Sequence, residues 1–396
     1  MPAFIDEPGD EVTELSFRIT GWAAGAGRDL PVSLSINDRP VAFRRVIRPG
    51  LREALPQFAE SFGIDCQMNV LDIVCGGGER RDRSFSIHLA AGDEDVVRTV
   101  TVSSALDERI EHQLAIRGET RAWVSDRLRC PSCGSDGNEF LRDATRIVCG
   151  SCHALFDQGG ARAIEMRTDR MRQTFSPDHG EGVSSNPYEE LAQALVDRTT
   201  GTGGWVLDCG AGSRPFRTPR VVNVEIEDYF STDILAVGEA LPFADDVFDA
   251  AVSLAVLEHV RDPFQCAREL LRVVKPGGEI ICSVPFLQPV HGFPSHFYNM
   301  TREGLMNLFA DGDVVSCLTP PNGHPILALQ WFLTEYLRGL PAVERAMFGS
   351  MTVSEVAALR FPEAFGAGFV TSLSPEAVRT IACLNTVIVR KRAPMA

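Results

Sequence analysis

Apolar and polar residues alternate through much of the first hundred positions, and then the period changes. In Val32-Ser33-Leu34-Ser35-Ile36 every second side chain is apolar, the period of a strand with one buried face. The same reading places strands at Ser16–Ala24, Val41–Ile47, Ile64–Leu71, Ser84–Ala90 and Val96–Val102. Asn37-Asp38-Arg39-Pro40 and Ala91-Gly92-Asp93-Glu94 supply turn chemistry between them. Regular short strands with turns predict an all-β sandwich over residues 1–104. From Ala105 to Leu128 the apolar positions Leu106, Ile110, Leu114, Trp123 and Leu128 fall among Asp, Glu and Arg, which predicts a helical connector over 105–128.

The second half reads differently. Short apolar runs at Trp205–Leu207, Arg220–Glu225, Ala250–Leu254 and Glu279–Val284 alternate with helical stretches at Glu189–Arg198 and Pro263–Val274. Strands alternating with helices predict an α/β domain with a parallel sheet, here over 188–396. Leu327–Leu337 and Val353–Leu359, broken by Pro and Gly, predict a helical insertion at about 325–380. Ala382–Arg390 is a last apolar run. Polar residues with Gly159-Gly160, Ser176-Pro177 and Asn186-Pro187 predict a linker that we bound at 166–187.

Composition narrows the class. With 396 residues, 44% hydrophobic and 23% charged, the chain is long enough for several globular domains. No apolar run approaches the roughly 20 residues of a membrane span, so no membrane association is expected. The acidic start Met1-Pro2-Ala3-Phe4-Ile5-Asp6-Glu7 lacks the plan of a signal peptide, so a cytoplasmic protein is expected. A net charge of −15 argues against nucleic acid as a partner. Lys275 and Lys391 are the only lysines, an Arg-for-Lys bias that points to a GC-rich bacterial genome.

Four of the 11 cysteines form two pairs, Cys130-Pro131-Ser132-Cys133 and Cys149-Gly150-Ser151-Cys152. Two Cys-x-x-Cys turns at this spacing close a tetrahedron of thiolates around a cation, with no open position for catalysis. A structural zinc ribbon over 129–165 is therefore expected, with Cys130, Cys133, Cys149 and Cys152 as ligands. The scattered cysteines read as small buried apolar residues.

The chemistry centres on Asp208-Cys209-Gly210-Ala211-Gly212, a Gly-rich turn at the end of an apolar run. In open α/β sheets such a turn is where nucleotide-like ligands bind. Glu225 ends the next strand, placed to accept hydrogen bonds from a ribose diol. Only about a dozen residues separate it from Gly212, which predicts a first crossover without a full helix. Leu241-Pro242-Phe243, Phe248-Asp249, Leu257-Glu258-His259-Val260 and the helix stop Lys275-Pro276-Gly277-Gly278 follow in order.

Taken together, these motifs resemble the class I S-adenosylmethionine-dependent methyltransferases of the bacterial type-11-like group, from about Tyr188 to Leu308. The resemblance resumes at Ala382–Arg390, which it makes the closing strand of a seven-stranded Rossmann-like sheet. It implies S-adenosyl-L-methionine as cofactor, with Asp208, Gly210 and Gly212 lining the methionine half and Glu225 on the ribose. Glu239, Ala240 and Leu241 would lie along the adenine, and Leu254 and Ala255 near the reacting methyl. Many relatives place an Asp four residues before Leu-Pro-Phe to hold the adenine amino group; here that position is Val237. Some carry a metal-binding Glu three residues before the Glu-His pair; here it is Ala255, which argues against a catalytic metal. The ribbon resembles those found beside bacterial methyltransferase domains. Gly21-Trp22, Ile36–Val41, Arg48-Pro49 and Ser61–Ile64 resemble accessory β-domains of bacterial polysaccharide and glycoside assembly enzymes.

Methyl transfer to a hydroxyl needs alignment and a base. His259, His291 and His296 are the candidate catalytic residues, the latter two in the Pro289–Tyr298 loop, which also carries Tyr298. The sequence reading is thus a multidomain cytoplasmic enzyme: β-sandwich, zinc ribbon and methyltransferase domain. Its expected acceptor is a hydroxyl of a sugar, glycan precursor or secondary metabolite. The alternatives are a ribosomal RNA base methyltransferase and a non-catalytic binding protein that keeps the fold.

Overall fold

A computed structural model describes residues 3–25, 31–41, 43–46, 48, 50–58, 60–74, 83–92, 94–143, 145–159, 162–174, 187–292, 295–360 and 366–383. The chain divides into two compact bodies, Met1–Ser283 and Val284–Ala396.

The first body begins with two sheets. Strands β1 (Ala3–Glu7), β3 (Ser16–Gly25), β7 (Glu60–Asn69) and β6 (Arg44–Val46) form one, in the order β1-β3-β7-β6. Strands β2 (Glu11–Val12), β9 (Glu94–Val102), β8 (Ser84–Ala91), β4 (Val32–Ile36) and β5 (Arg39–Val41) form the other, in the order β2-β9-β8-β4-β5. The alternation read from the sequence sorts their faces: Phe85, Ile87 and Leu89 of β8 are buried while Ser86 and His88 are half-exposed. Ile5, Ile19, Phe62 and Ile64 from one sheet share a single apolar cluster with Leu34, Ile36, Ile87 and Val100 from the other. Two short helices, α1 (Leu51–Ala54) and α2 (Val70–Val74), complete the module. Val70 and Leu71, expected as strand, open α2 because Asn69 Oδ1 accepts the Leu71 N–H at 2.9 Å, which turns the chain.

The helix α3 (Asp107–Ser125) follows, inside the stretch expected for it. Then come β10 (Phe140–Arg142), β11 (Arg146–Cys149), β12 (Leu155–Asp157) and β13 (Ile164–Glu165), and after the short α4 (Asp169–Thr174) the α/β region. Its elements are α5 (Glu190–Gly201), β14 (Val206–Cys209), β15 (Val221–Glu225), β16 (Ile234–Leu235), β17 (Phe248–Leu254), α6 (Pro263–Val273) and β18 (Val274–Ser283). All of these strands belong to one sheet of order β10-β11-β12-β13-β16-β15-β14-β17-β18. The ribbon is therefore not beaded onto the α/β region: β13 pairs in parallel with β16, Ile164 opposite Ile234. Residues expected to open a linker at 166 are built into this junction. Met166 is buried and its N–H donates to Leu235 O at 2.9 Å, and Arg167 Nη1 donates to Ile226 O at 2.7 Å.

Between β14 and β15 the chain makes no helix, as the short spacing predicts. The connector α3 supplies one instead and packs against β15. Its Gln113 exchanges hydrogen bonds with the Arg217 backbone inside that crossover. Trp123 at its end stacks on Trp205 with ring centroids 4.0 Å apart. Trp205 and Val206 point to opposite faces, and Val206 joins Leu195, Val196 and Val252 in the core beneath α5. The sheet is thus covered on both faces, as a parallel sheet requires.

The second body holds α7 (Arg302–Leu308), α8 (Pro325–Arg338), α9 (Ala342–Gly349), α10 (Val353–Ala357), α11 (Gly368–Thr371) and α12 (Pro375–Thr380). Leu340, Phe348 and Phe369 form its small core. The helices expected at 327–337 and 353–359 are there as α8 and α10, but the apolar run expected as a closing strand lies, from 384 on, outside the described residues. Among the described residues no helix is long and apolar enough to cross a membrane.

Candidate active site

The strand β14 ends at Cys209, and the turn that follows depends on two glycines, Gly210 at φ +78° and Gly212 at φ +66°. A side chain at Gly210 would put its Cβ 2.4 Å from Val256 Cγ2, so the position is closed sterically as well as conformationally. The Gly210 and Ala211 amides both donate to Val224 O, at 2.9 and 3.2 Å. The Gly212 amide donates to Glu225 Oε1 at 2.8 Å, and Glu225 Oε2 accepts the Ile226 amide at 2.7 Å. Glu225 is therefore the brace of the glycine turn. Burial raises its pKa, and the backbone donors of Gly212, Ile226 and Glu227 work against that rise. With three backbone donors on its two oxygens, the carboxylate keeps room for about one further donor.

Asp208 is fully buried. Its Oδ2 accepts the Tyr188 hydroxyl at 2.6 Å and Arg214 Nε and Nη2 at 3.0 and 2.8 Å. The Arg214 guanidinium lies over the Tyr188 ring at 4.0 Å. Asp208 Oδ1 is buried with no hydrogen-bond partner among the described residues. Burial raises the Asp208 pKa, and Arg214 and Tyr188 oppose it. Sequence reasoning missed both partners. Tyr188 precedes α5 and Arg214 follows the second glycine, and neither belongs to a spacing that would single it out.

The other wall is a 3₁₀ turn, Gly238–Ala240. Gly238 is pressed against Cys266, where a Cβ would sit 2.5 Å from Sγ. Leu241 is buried, and its amide donates to Glu269 Oε2 at 2.9 Å. Val237 is buried in the core. Glu239 Oε1 accepts the Arg261 amide at 3.2 Å, while Oε2 is buried without a hydrogen-bond partner among the described residues. Glu239 thus offers the carboxylate oxygen that Val237 does not.

At the end of β17, Leu254 is half-buried and Ala255 is exposed at φ +56°, a strained value for a residue with a Cβ. Three residues later Glu258 is fully buried, and neither carboxyl oxygen has a hydrogen-bond partner among the described residues. His259 Nε2 lies 3.7 Å from Glu258 Oε1. Burial pushes the Glu258 pKa up to about 7, so this carboxyl can hold or release a proton near neutrality.

His291 and His296 belong to the second body and are held together there. The His291 amide donates to His296 Nδ1 at 3.3 Å, and the rings meet edge to face at 4.5 Å. Asn299 Nδ2 donates to Gln288 O at 2.9 Å, which turns its Oδ1 toward His296 Nε2 at 3.0 Å and places that ring's proton on Nε2. His291 Nδ1 donates to Pro289 O at 2.8 Å, and burial lowers the His291 pKa. Tyr298 is exposed. The three candidate histidines thus divide between two bodies, His259 in one and the His291–His296 pair in the other.

The four ribbon cysteines converge, with Cys130 Sγ 3.7 Å from Cys152 Sγ and Cys133 Sγ 3.7 Å from Cys149 Sγ. A tetrahedron of zinc–sulfur bonds near 2.3 Å has edges of about 3.8 Å, so the donor set fits zinc. The two knuckles repeat one design. Cys130 and Cys149 each donate their amide five residues ahead, to Ser135 O and Ala154 O, and each accepts one from four residues ahead, Gly134 and His153. Both of those residues have positive φ, +76° and +58°. Of the other described cysteines, Cys66, Cys209 and Cys266 are buried as expected, while Cys383 is exposed.

Against known proteins, the model of the methyltransferase domain family matches residues 210–282. An uncharacterized methyltransferase of Mycobacteroides abscessus is 36% identical over 189 residues, covering 41% of this chain and 70% of that protein. The chain belongs to the class I S-adenosylmethionine-dependent methyltransferases. An uncharacterized methyltransferase of Mycolicibacterium vanbaalenii is 29% identical over 144 residues, 31% of this chain; the match spans 56% of that relative's own length. A solved methyltransferase of Thermotoga maritima is similar at 20% identity and a TM-score of 0.22, covering 30% of this chain and 69% of that one. The matched family segment runs from the first glycine of the turn, Gly210, through the helix stop Lys275–Gly278 to Cys282 in the last strand of the sheet.

Proposed function

We propose that this methyltransferase moves the methyl group of S-adenosyl-L-methionine to a hydroxyl of a sugar, glycan precursor or secondary metabolite. The observation that carries the cofactor assignment is the glycine turn locked onto Glu225, beside a buried Asp208 whose Oδ1 lacks a partner. A cationic amino group is the natural complement of that oxygen. In this reading Asp208, Gly210 and Gly212 hold the methionine half, and Glu225 takes a ribose hydroxyl at the acceptor site its backbone donors leave open. Glu239, Ala240 and Leu241 flank the adenine, with Glu239 Oε2 standing in for the missing acid at Val237. When bound, the cofactor supplies an electrophilic methyl on a sulfonium.

The protein's share is alignment and proton removal. Leu254 and Ala255 line the approach to the methyl. His259 is the candidate base in the first body, and Glu258 behind it can take up the proton charge, being poised near pH 7. The His291–His296 pair is the candidate base of the second body. We read the two N-terminal sheets as a sandwich that serves an accessory role, and the ribbon as a structural zinc site. The acidic charge of the whole chain, −15, supports a small or neutral acceptor over nucleic acid.

Calorimetric titration of the full chain with S-adenosylmethionine tests the cofactor assignment, with Gly210→Ala as the disabled variant. Saturable binding lost in the variant is expected, and equal behaviour of both proteins would overturn it. Incubation with labelled cofactor and bacterial extracts, followed by mass analysis, then reads the acceptor, with His259→Ala and His291→Ala compared for rate.

A further inference from the structure

A cavity lies at the end of the sheet opposite the glycine turn. It measures about 490 Å³, within the range of small-ligand sites, and is lined by Trp123, Arg127, Trp205, Asp246, Asp249 and Lys275 among others. Trp205 precedes β14 and Asp246 precedes β17, whereas the cofactor turn follows the other end of β14. A molecule in this cavity is therefore not the methyl acceptor.

The lining has a definite chemical character. Trp123 and Trp205 stack within 11° of parallel and make one rigid aromatic wall. Arg127 is fixed over the Trp123 ring at 4.4 Å and donates to Trp123 O at 2.7 Å, and it has no carboxylate partner among the described residues. Asp246 is exposed and likewise has no hydrogen-bond or ion-pair partner for its side chain among the described residues. Lys275 and Asp249 pair with each other at 2.8 Å, and Asp249 also accepts the Trp205 amide at 2.8 Å. Two cations and two carboxylates thus share the wall. The carbonyl end of α5, capped at Thr202, adds partial negative charge.

Such a lining selects against net charge. An anion would meet Asp246, Asp249 and the helix end, and a cation would meet Arg127 and Lys275. A neutral molecule whose groups both donate and accept satisfies both sets, and an apolar flank suits the edges of the stacked indoles, whose ring faces carry Arg127 and Arg220. We propose that this cavity is a second ligand site for a neutral sugar ring, with Asp246 accepting from its hydroxyls and Arg127 donating to them. This inference stands whether or not the methyl acceptor is itself a sugar.

The test uses the full chain, followed by tryptophan fluorescence and saturation-transfer NMR. The probes are neutral methyl hexosides and a neutral disaccharide, with methyl glucuronide and inorganic phosphate as charged comparators. Asp246→Gly removes the carboxylate while tolerating the backbone there, at φ +57°; Arg127→Met keeps most of the stem. A neutral probe should bind with a dissociation constant on the order of millimolar and weaken at least about tenfold in both variants. The thermal midpoint and S-adenosylmethionine binding should stay unchanged in Asp246→Gly. The proposal is overturned if no neutral probe saturates, if glucuronide or phosphate binds more tightly, or if Asp246→Gly binds like the parent.

Discussion

The Phe230 amide donates to Asp72 Oδ1 at 2.6 Å across 158 residues of chain, and the Phe230 ring is buried in the core of the N-terminal module. A loop of the methyltransferase region thereby completes a hydrophobic core that is otherwise built mainly by the β-strands. On the same loop, the Ser231 hydroxyl accepts the Arg214 amide at 3.1 Å, so the anchor lies next to the glycine turn. Phe230→Ala should cost about 3–5 kcal/mol, as buried Phe truncations do. Urea unfolding read by far-UV circular dichroism would measure it. Weakened cofactor binding should accompany the loss, and a variant as stable and as tightly binding as the parent would refute the coupling.

Arg214 closes two donors on Asp208 and stacks on Tyr188. Removing it leaves a buried carboxylate with Tyr188 as its remaining side-chain partner, a situation that typically costs about 3–5 kcal/mol. Arg214→Ala should therefore be strongly destabilised, and adding Asp208→Asn should recover a large part, because the uncompensated charge goes with it. Neither protein should bind S-adenosylmethionine as the parent does. Equal stabilities of the single and double variants would show that the pair carries no buried-charge penalty.

The ribbon should hold one zinc per chain, measurable by plasma mass spectrometry. Because β13 hydrogen-bonds to β16, metal loss should reach beyond the ribbon. Cys149→Ser should lose the zinc and raise hydrogen exchange at Met166 and Ile234 as well as within β11. Exchange confined to residues 129–157 would mean that the ribbon folds independently.

Much of this architecture is legible in the chain. Alternation sorts β8 correctly, Cys-x-x-Cys spacing announces the thiolate cluster, and the short gap from Gly212 to Glu225 foretells a crossover without a helix. What escapes is long-range. The role of α3 as the substitute helix depends on Gln113 meeting Arg217, 104 residues away, and on Trp123 meeting Trp205. Arg214 and Tyr188 acquire meaning only when folding brings them onto Asp208. The union of ribbon and catalytic sheet turns on two residues of β13, too short a strand to leave a periodicity. Burial of Glu258 is equally invisible, since one glutamate among Val256, Leu257 and Val260 leaves no period that tells its face.

Glu258 makes the stability of the first body depend on pH. Its folded pKa is about 7 against an ordinary 4.5, a consequence of burial. Between those values the folded chain keeps a proton that the unfolded chain has released, so stability falls as pH rises through the window. The full loss, reached above pH 7, is about 3 kcal/mol. Within the first body, His259 lies beside it, and so does the half-buried Cys282 thiol on β18, whose pKa burial raises. Asp72, raised by burial to about 6, acts in the same direction over a lower range. Glu258→Gln, which keeps the shape and cannot ionise, should be nearly as stable as the parent at pH 5 and clearly more stable at pH 8. Its stability curve should keep the slope that Asp72 and the other carboxyls raised by burial, Asp208, Glu225 and Glu239, contribute. Urea midpoints measured across this range decide the matter: parallel curves for the two proteins would mean that Glu258 ionises in the folded chain as freely as in the unfolded one.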